Sequence, residues 1–183
     1  IRLSLVGSEM CIRDRAYSAS CRLTLPRDMV FDYAADPANA AAWIPEVESW
    51  VVEGAGAAED ADSDGPDRPV EPDGPVLAAG AAILETRRAD ARGPRGRRLT
   101  VVAVDAPERL VLRTERRFMA YLYDFAFVPL TSGSLVIMNG KVEAMHPALR
   151  RLEPAALALA RRRDGNLPES LQRALQGSWT PVV

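Results

Sequence analysis

Leu25-Pro26-Arg27-Asp28-Met29-Val30-Phe31-Asp32-Tyr33-Ala34-Ala35-Asp36-Pro37, followed shortly by Trp43-Ile44-Pro45, is the stretch on which the fold turns. Pro26 presets the φ of a first helical turn, and the helix it opens runs to Ala35. Asp36-Pro37 stops it, because a residue before proline is pushed out of the α region. A second short helix, Ala38 to Trp43, stops in the same way at Ile44-Pro45. Immediately upstream, Tyr17, Ala19, Cys21, Leu23 and Leu25 alternate with Ser18, Ser20, Arg22 and Thr24, the period-two pattern of a strand with one buried face. The domain thus opens with a strand followed directly by two short helices.

Downstream the period stays at two. Val47 to Glu53 reads as the second strand, and five more follow: Ala81 to Arg88, Arg97 to Val104, Arg109 to Glu115, Ala120 to Val128 and Ser134 to Ala144. The connections Asp105-Ala106-Pro107-Glu108 and Thr131-Ser132-Gly133 are tight turn clusters, so consecutive strands should pair antiparallel. From Leu149 to Gln176 the period becomes helical, with Leu152, Ala156, Leu159, Leu167, Leu171 and Leu175 near one face. Gly165 and Pro168 predict a kink or break between Asp164 and Leu167.

The 183 residues are 48% hydrophobic and 26% charged, with a formal net charge of −2. This is ordinary globular composition, and a chain of this length buries a core without staples. No concentrated basic run calls for nucleic acid, and no apolar run is long enough to span a membrane. Cys11 and Cys21 cannot make a disulfide framework, so a reducing, bacterial cytoplasm is the expected compartment. Residues 1–15, including Leu3-Ser4-Leu5-Val6-Gly7-Ser8-Glu9-Met10, resemble a translated sequencing adapter and are expected to be a non-native leader; the other reading is an N-terminal strand. Residues 54–80, rich in Asp, Glu, Pro, Gly and Ala, are expected to be a disordered acidic loop within a single domain spanning 16–177, and 178–183 a tail.

Taken in order, the proline-initiated helix ending at Asp36-Pro37, Trp43, the turn Val104-Asp105-Ala106-Pro107-Glu108-Arg109, and Phe127-Val128-Pro129 with Gly133-Ser134 resemble the START-like or SRPBCC superfamily, and within it the polyketide cyclase/dehydrase-like group. The resemblance implies an α+β helix-grip fold: a curved seven-stranded antiparallel sheet around a long C-terminal helix, with an apolar cavity between. It implies binding of a hydrophobic small molecule, such as a lipid, isoprenoid or polyketide. Two alternatives stay open: a cyclase or dehydratase working in the same cavity without metal or nucleotide cofactor, and a protein-interaction module acting through the acidic loop.

Tyr121, Tyr123, Phe125 and Phe127 share one strand face, with Phe118 just before them. Core packing accounts for the two phenylalanines, whereas a tyrosine suits a partly wet cavity because its hydroxyl needs a partner. Val136, Met138, Gly140 and Val142 should face inward on the last strand, and Met138 is adaptable enough to border a cavity. The expected lining therefore comprises Tyr33 and Trp43 from the short helices, Phe118, Tyr121, Tyr123 and Phe125, Met138, and Leu152 from the terminal helix. Trp43 reads equally as a plug that closes the core. Charged strand residues Glu85, Arg87, Arg113 and Glu115 are expected at the surface, with polar cavity groups as the alternative if their strand faces turn inward; the Arg161-Arg162-Arg163 run is expected on a solvated helix face. His146 reads as part of a turn, since no motif supplies it with a catalytic partner, and no catalytic residue is assigned. One histidine and scattered cysteines give no metal-ligand spacing.

Overall fold

A computed structural model describes residues 16–53, 77–90 and 93–178. The leader 1–15, most of the acidic stretch (54–76) and the last five residues lie outside the described residues, and so does the interaction-module reading that rests on that stretch. The elements are β1 (Ala16–Leu23), α1 (Arg27–Ala35), α2 (Ala40–Trp43), β2 (Val47–Val52), β3 (Ala82–Asp90), β4 (Gly93–Asp105), β5 (Arg109–Arg116), β6 (Met119–Leu130), β7 (Gly133–Ala144), α3 (Glu153–Asp164) and α4 (Leu167–Ser178). All seven strands form one antiparallel sheet in the order β1-β7-β6-β5-β4-β3-β2. This is the expected helix-grip arrangement. Among the described residues no helix is long and apolar enough to cross a membrane.

Pro26 stands at the N-cap of α1, and Asp36 serves both as its C-cap and as a side-chain cap for the 3-10 turn Pro37–Asn39 that leads into α2. The alternation read from β1 and β6 reappears as burial: Tyr17, Cys21, Leu23, Tyr123, Phe125 and Phe127 are buried. Phe31 from α1 meets Phe127 edge to face at 5.3 Å, a geometry that adds to the area both rings bury. Val136, Met138 and Val142 are buried on β7 as their parity required. The β6–β7 hairpin needs glycine at Gly133, where φ is 105° and a Cβ would collide with the Leu23 carbonyl. Leu77, at the end of the stretch expected to be a loop, is buried in the core.

The terminal helix departs from expectation at its start. Pro147–Leu152 is a 3-10 turn capped by His146, whose Nδ1 accepts from Ala148 N at 3.3 Å. The α-helix begins only at Glu153, because Pro154 lacks an N–H and belongs in a first turn. Leu152 is consequently 53% exposed and Leu159 64% exposed, so neither faces the sheet. The predicted break is present, with α3 ending at Asp164 and α4 starting at Leu167; Ala160, Leu167, Leu171 and Leu175 supply the buried face. Helices α3 and α4 pack chiefly on β1 and β7, α1 on β6 and β7, and α2 on β2 and α4. The concave face of β3, β4 and the end of β5 is left more open.

Candidate functional site

Three strands and a helix end place buried polar groups on that concave face. Glu85 has the parity of Ile83 on β3, and its side chain is fully buried. Its partners come from its own strand and from both neighbours, β2 and β4. Arg97, paired opposite it on β4, makes an ion pair (Nε to Oε1, 2.6 Å) and donates from Nη2 to Oε2 at 3.1 Å. Arg87 Nε donates to Oε1 at 2.7 Å, and the Trp50 indole N–H donates to Oε2 at 3.1 Å. Burial alone would raise the Glu85 pKa, but Arg97 and Arg87 overcome it and hold the carboxyl below its ordinary value. The surface position expected for Glu85 is thus corrected. A carboxylate with two guanidiniums and an indole N–H has its acceptors satisfied, which is what permits a charge in the core.

A second polar group lies across the cavity. Tyr17, Gly140 and Tyr123 form one lateral row over β1, β7 and β6. The Tyr17 ring lies where a Cβ on residue 140 would be, so Gly140 is the notch that receives it. Tyr123 Oη donates to Asp164 Oδ2 at 2.8 Å and accepts from Arg163 Nη2 at 3.1 Å. Arg163 also grips Asp164 through Nε (2.7 Å to Oδ1) and Nη2 (2.6 Å to Oδ2), and its guanidinium lies 5.9 Å from the Tyr121 ring centroid. The last arginine of the Arg161-Arg162-Arg163 run therefore turns inward, drawn by a buried aspartate at the end of α3. Burial, with Asp164 nearby, pushes the Tyr123 pKa up to about 12, so its hydroxyl keeps its proton across the neutral range. Burial first, then Asp164 and Tyr123, also raise the Tyr17 pKa. The Tyr17 hydroxyl and the Trp43 indole N–H are buried without a hydrogen-bond partner among the described residues.

Between these groups is a small inner cavity of about 60 Å³, walled by Trp43, Trp50, Leu99, Leu112, Phe125 and Leu167 with Glu85, Arg97, Tyr123 and Asp164 among its polar lining. At roughly 30 Å³ per water, it has room for about two waters or the tip of a ligand. Trp43 meets Phe125 at 5.8 Å and Trp50 at 6.4 Å, both edge to face. A much larger cleft of about 1070 Å³ adjoins it, sharing Glu46, Arg87, Arg97 and Arg163. Its lining is mainly basic: Arg87, Arg88, Arg97 and Arg98 from the β3–β4 hairpin, Arg113, Arg116 and Arg117 from β5 and the following turn, and Arg163 from α3.

Of the residues expected to line a cavity, the structure brings Trp43, Tyr123 and Phe125 together around the inner one. Tyr33, Tyr121 and Met138 line neither space; Met138 is fully buried in the core. Phe118 is 63% exposed, since the turn at Arg117, with φ 56°, projects it away from the sheet. Leu152 is displaced by the late start of α3. Glu85 and Arg97 carried a readable signal only in combination: complementary charges on facing strands, at the parity of Ile83 and Leu99; Arg163 and Asp164, adjacent at the end of α3, carried none. Among the described residues no group of three His, Cys, Asp or Glu side chains is placed to hold a metal ion.

Residues 16–176 match the family described as polyketide cyclase / dehydrase and lipid transport. The chain belongs to that family. A search of curated proteins finds no match. Among solved structures, a protein from Nitrosomonas europaea aligns with TM-score 0.61 at 13% identity, over 90% of this chain and 96% of that one. The di-domain ARO/CYC StfQ from the steffimycin biosynthetic pathway aligns with TM-score 0.61 at 11% identity, over 90% of this chain and 51% of that one. A START superfamily protein from Mycobacterium smegmatis aligns with TM-score 0.56 at 15% identity, over 90% and 96%. These likenesses establish the START-like helix-grip fold.

Proposed function

We propose that this family member binds a small molecule with a substantial apolar portion, of lipid, isoprenoid or polyketide type, in the cleft between sheet and terminal helices. The observation that carries this reading is that the two spaces adjoin, with Glu46, Arg87, Arg97 and Arg163 in the lining of both. Ligand pockets for small molecules run from about 300 to 1,000 Å³; the 60 Å³ inner cavity is far below that range and the 1070 Å³ cleft is at its top. The body of the ligand therefore occupies the cleft, with its polar groups toward the arginines, and an apolar end reaches the tryptophan-walled cavity. Native mass spectrometry of protein purified without added ligand tests this, together with calorimetric titration using neutral 2-naphthol. The expected result is a co-purified adduct, or saturable one-to-one naphthol binding that Leu112→Trp weakens at least tenfold by filling the inner cavity. Absence of both adduct and binding sinks the reading.

A second reading, an enzyme of cyclase or dehydratase type, is favoured by the convergence of Tyr123, Asp164 and Arg163 on the inner cavity. A tyrosine held protonated beside a guanidinium can turn its one hydroxyl proton from Asp164 to a carbonyl oxygen as negative charge develops there, while the two Arg163 contacts keep Asp164 satisfied. Tyr123→Phe would then abolish turnover of a poly-β-keto thioester analogue yet leave naphthol affinity within about twofold. Equal loss of both assigns Tyr123 to binding alone.

A further inference from the structure

We infer that the fork between β4 and β5 is an anion-binding site for a phosphorylated small molecule. The inference rests on the binding function proposed above for the location of the ligand, and adds the chemistry of one of its ends.

The fork is a feature of strand register. The β4–β5 ladder runs from Asp105↔Arg109 only as far as Leu99↔Thr114. Beyond that point β4 stays paired with β3 back to Gly93, while β5 stays paired with β6 out to Arg116. The two hairpins part, and the large cleft occupies the gap. Thr114 Oγ1 donates to the Arg98 carbonyl at 2.9 Å, tying the strands together at the point where they separate.

The charges around the fork do not balance. Arg97 is matched by Glu85, Arg87 by Glu46 as well as Glu85, Arg163 by Asp164, Arg98 by Glu53 and Arg113 by Glu115. Arg88, Arg116 and Arg117 line the same cleft and have no carboxylate partner among the described residues. Among the described residues three surplus positive charges thus line one cleft, in a chain whose formal net charge is −2. A monocarboxylate would leave most of that surplus uncompensated, whereas a phosphate ester or diphosphate brings two or more charges and several acceptor oxygens. Planar guanidiniums match those oxygens in bidentate fashion.

The inner arginines are also fixed before any ligand arrives. Arg87 and Arg97 are held on a fully buried carboxylate, and Arg163 is held by two contacts to Asp164. Each guanidinium carries five N–H donors, more than these contacts consume, so donors remain for a ligand at little ordering cost. Arg117 is held at φ 56°, a conformation uncommon outside glycine, at the rim of the same cleft.

Calorimetric titration of the full chain with inorganic pyrophosphate at low ionic strength is the test. One-to-one saturable binding is expected, weakened at least tenfold in Arg116→Gln/Arg117→Gln and less than twofold in the distal control Arg22→Gln/Arg173→Gln, which removes two arginines from β1 and α4, neither in the cleft lining. Tricarballylate, with carboxylates in place of phosphates, should bind at least tenfold more weakly. The inference is overturned if pyrophosphate does not bind, if the distant variant loses as much as the cleft variant, if tricarballylate binds equally well, or if only phosphatidic acid vesicles engage the protein. Pyrophosphate has no apolar part, so retention of a co-purified apolar adduct or of naphthol binding without a pyrophosphate response defeats this inference alone.

Discussion

Where β1, β7 and β6 meet α1 and α4, the concave face of the sheet is filled by Phe31, Phe127, Val136, Met138 and Leu171, all nearly inaccessible. Where β3, β4 and the end of β5 continue that face, Glu85, Arg87 and Arg97 take the positions of core residues and the strands separate. The difference follows helix placement. Helices can bury only the strands they cover, and the covered side is finished with apolar side chains, as packing alone requires. The less covered side needs paired charges to stay folded while open. Apolar packing and buried charge are therefore assigned to opposite ends of one sheet.

The sharpest way to break this contrast is at Glu85. Glu85→Ala leaves two partly buried guanidiniums without their shared partner and should cost about 3–5 kcal/mol in urea unfolding. A loss under about 1 kcal/mol would mean that the polar end contributes little to folding. The same carboxyl predicts a pH dependence. Its folded pKa lies below the ordinary 4.5, so the unfolded state takes up the proton first. Its stabilisation is present above that ordinary value and is lost as the pH falls below it. Glu85→Ala should flatten the acid limb of the stability profile, and an unchanged limb would contradict the assignment.

Gly140→Ala probes the apolar end. The added Cβ collides with the Tyr17 ring, and overpacking of this kind typically costs about 1–3 kcal/mol; pairing it with Tyr17→Ala should recover part of that loss in a double-mutant cycle. A smaller effect separates the two tyrosines of the row. Tyr123→Phe leaves Asp164 with one donor fewer and should cost about 1–2 kcal/mol, whereas Tyr17→Phe removes an unpartnered hydroxyl and should be neutral or slightly stabilising. Chemical denaturation of both variants decides it. Least of all, Leu152→Ser should change stability by under about 0.5 kcal/mol, since Leu152 is exposed; a larger loss would restore it to the core.

Legibility differed between the ends for a physical reason. Alternation on β1, β6 and β7 pairs apolar with buried, so the strands, the antiparallel pairing of consecutive ones and the break before Leu167 could be read from periodicity, turns and proline placement, while the fold followed from the resemblance in motif order. On β3 and β4 hydropathy points the wrong way: Leu84 and Val102 are exposed while Glu85 is buried. A charged residue reads as surface unless its partner is known, and the partner of Glu85 lies on the adjacent strand. Asp164 was hidden for the same reason, since its burial depends on Tyr123, forty-one positions away. The one local cue passed over was Pro154, which moves the helix start and takes Leu152 out of the expected lining.

The tryptophan pair in the wall of the inner cavity has an optical consequence. Trp50 donates to the charged Glu85, and Trp43 stands 6.4 Å away against Phe125. An indole's emission energy follows the electric field across its ring, so Trp50 should register any change in the ion pair beneath it. Energy transfer over so short a separation makes the two indoles respond as a unit. A ligand that displaces Arg97 from Glu85, or enters beside Trp43, would thus announce itself as a spectral shift without any attached dye.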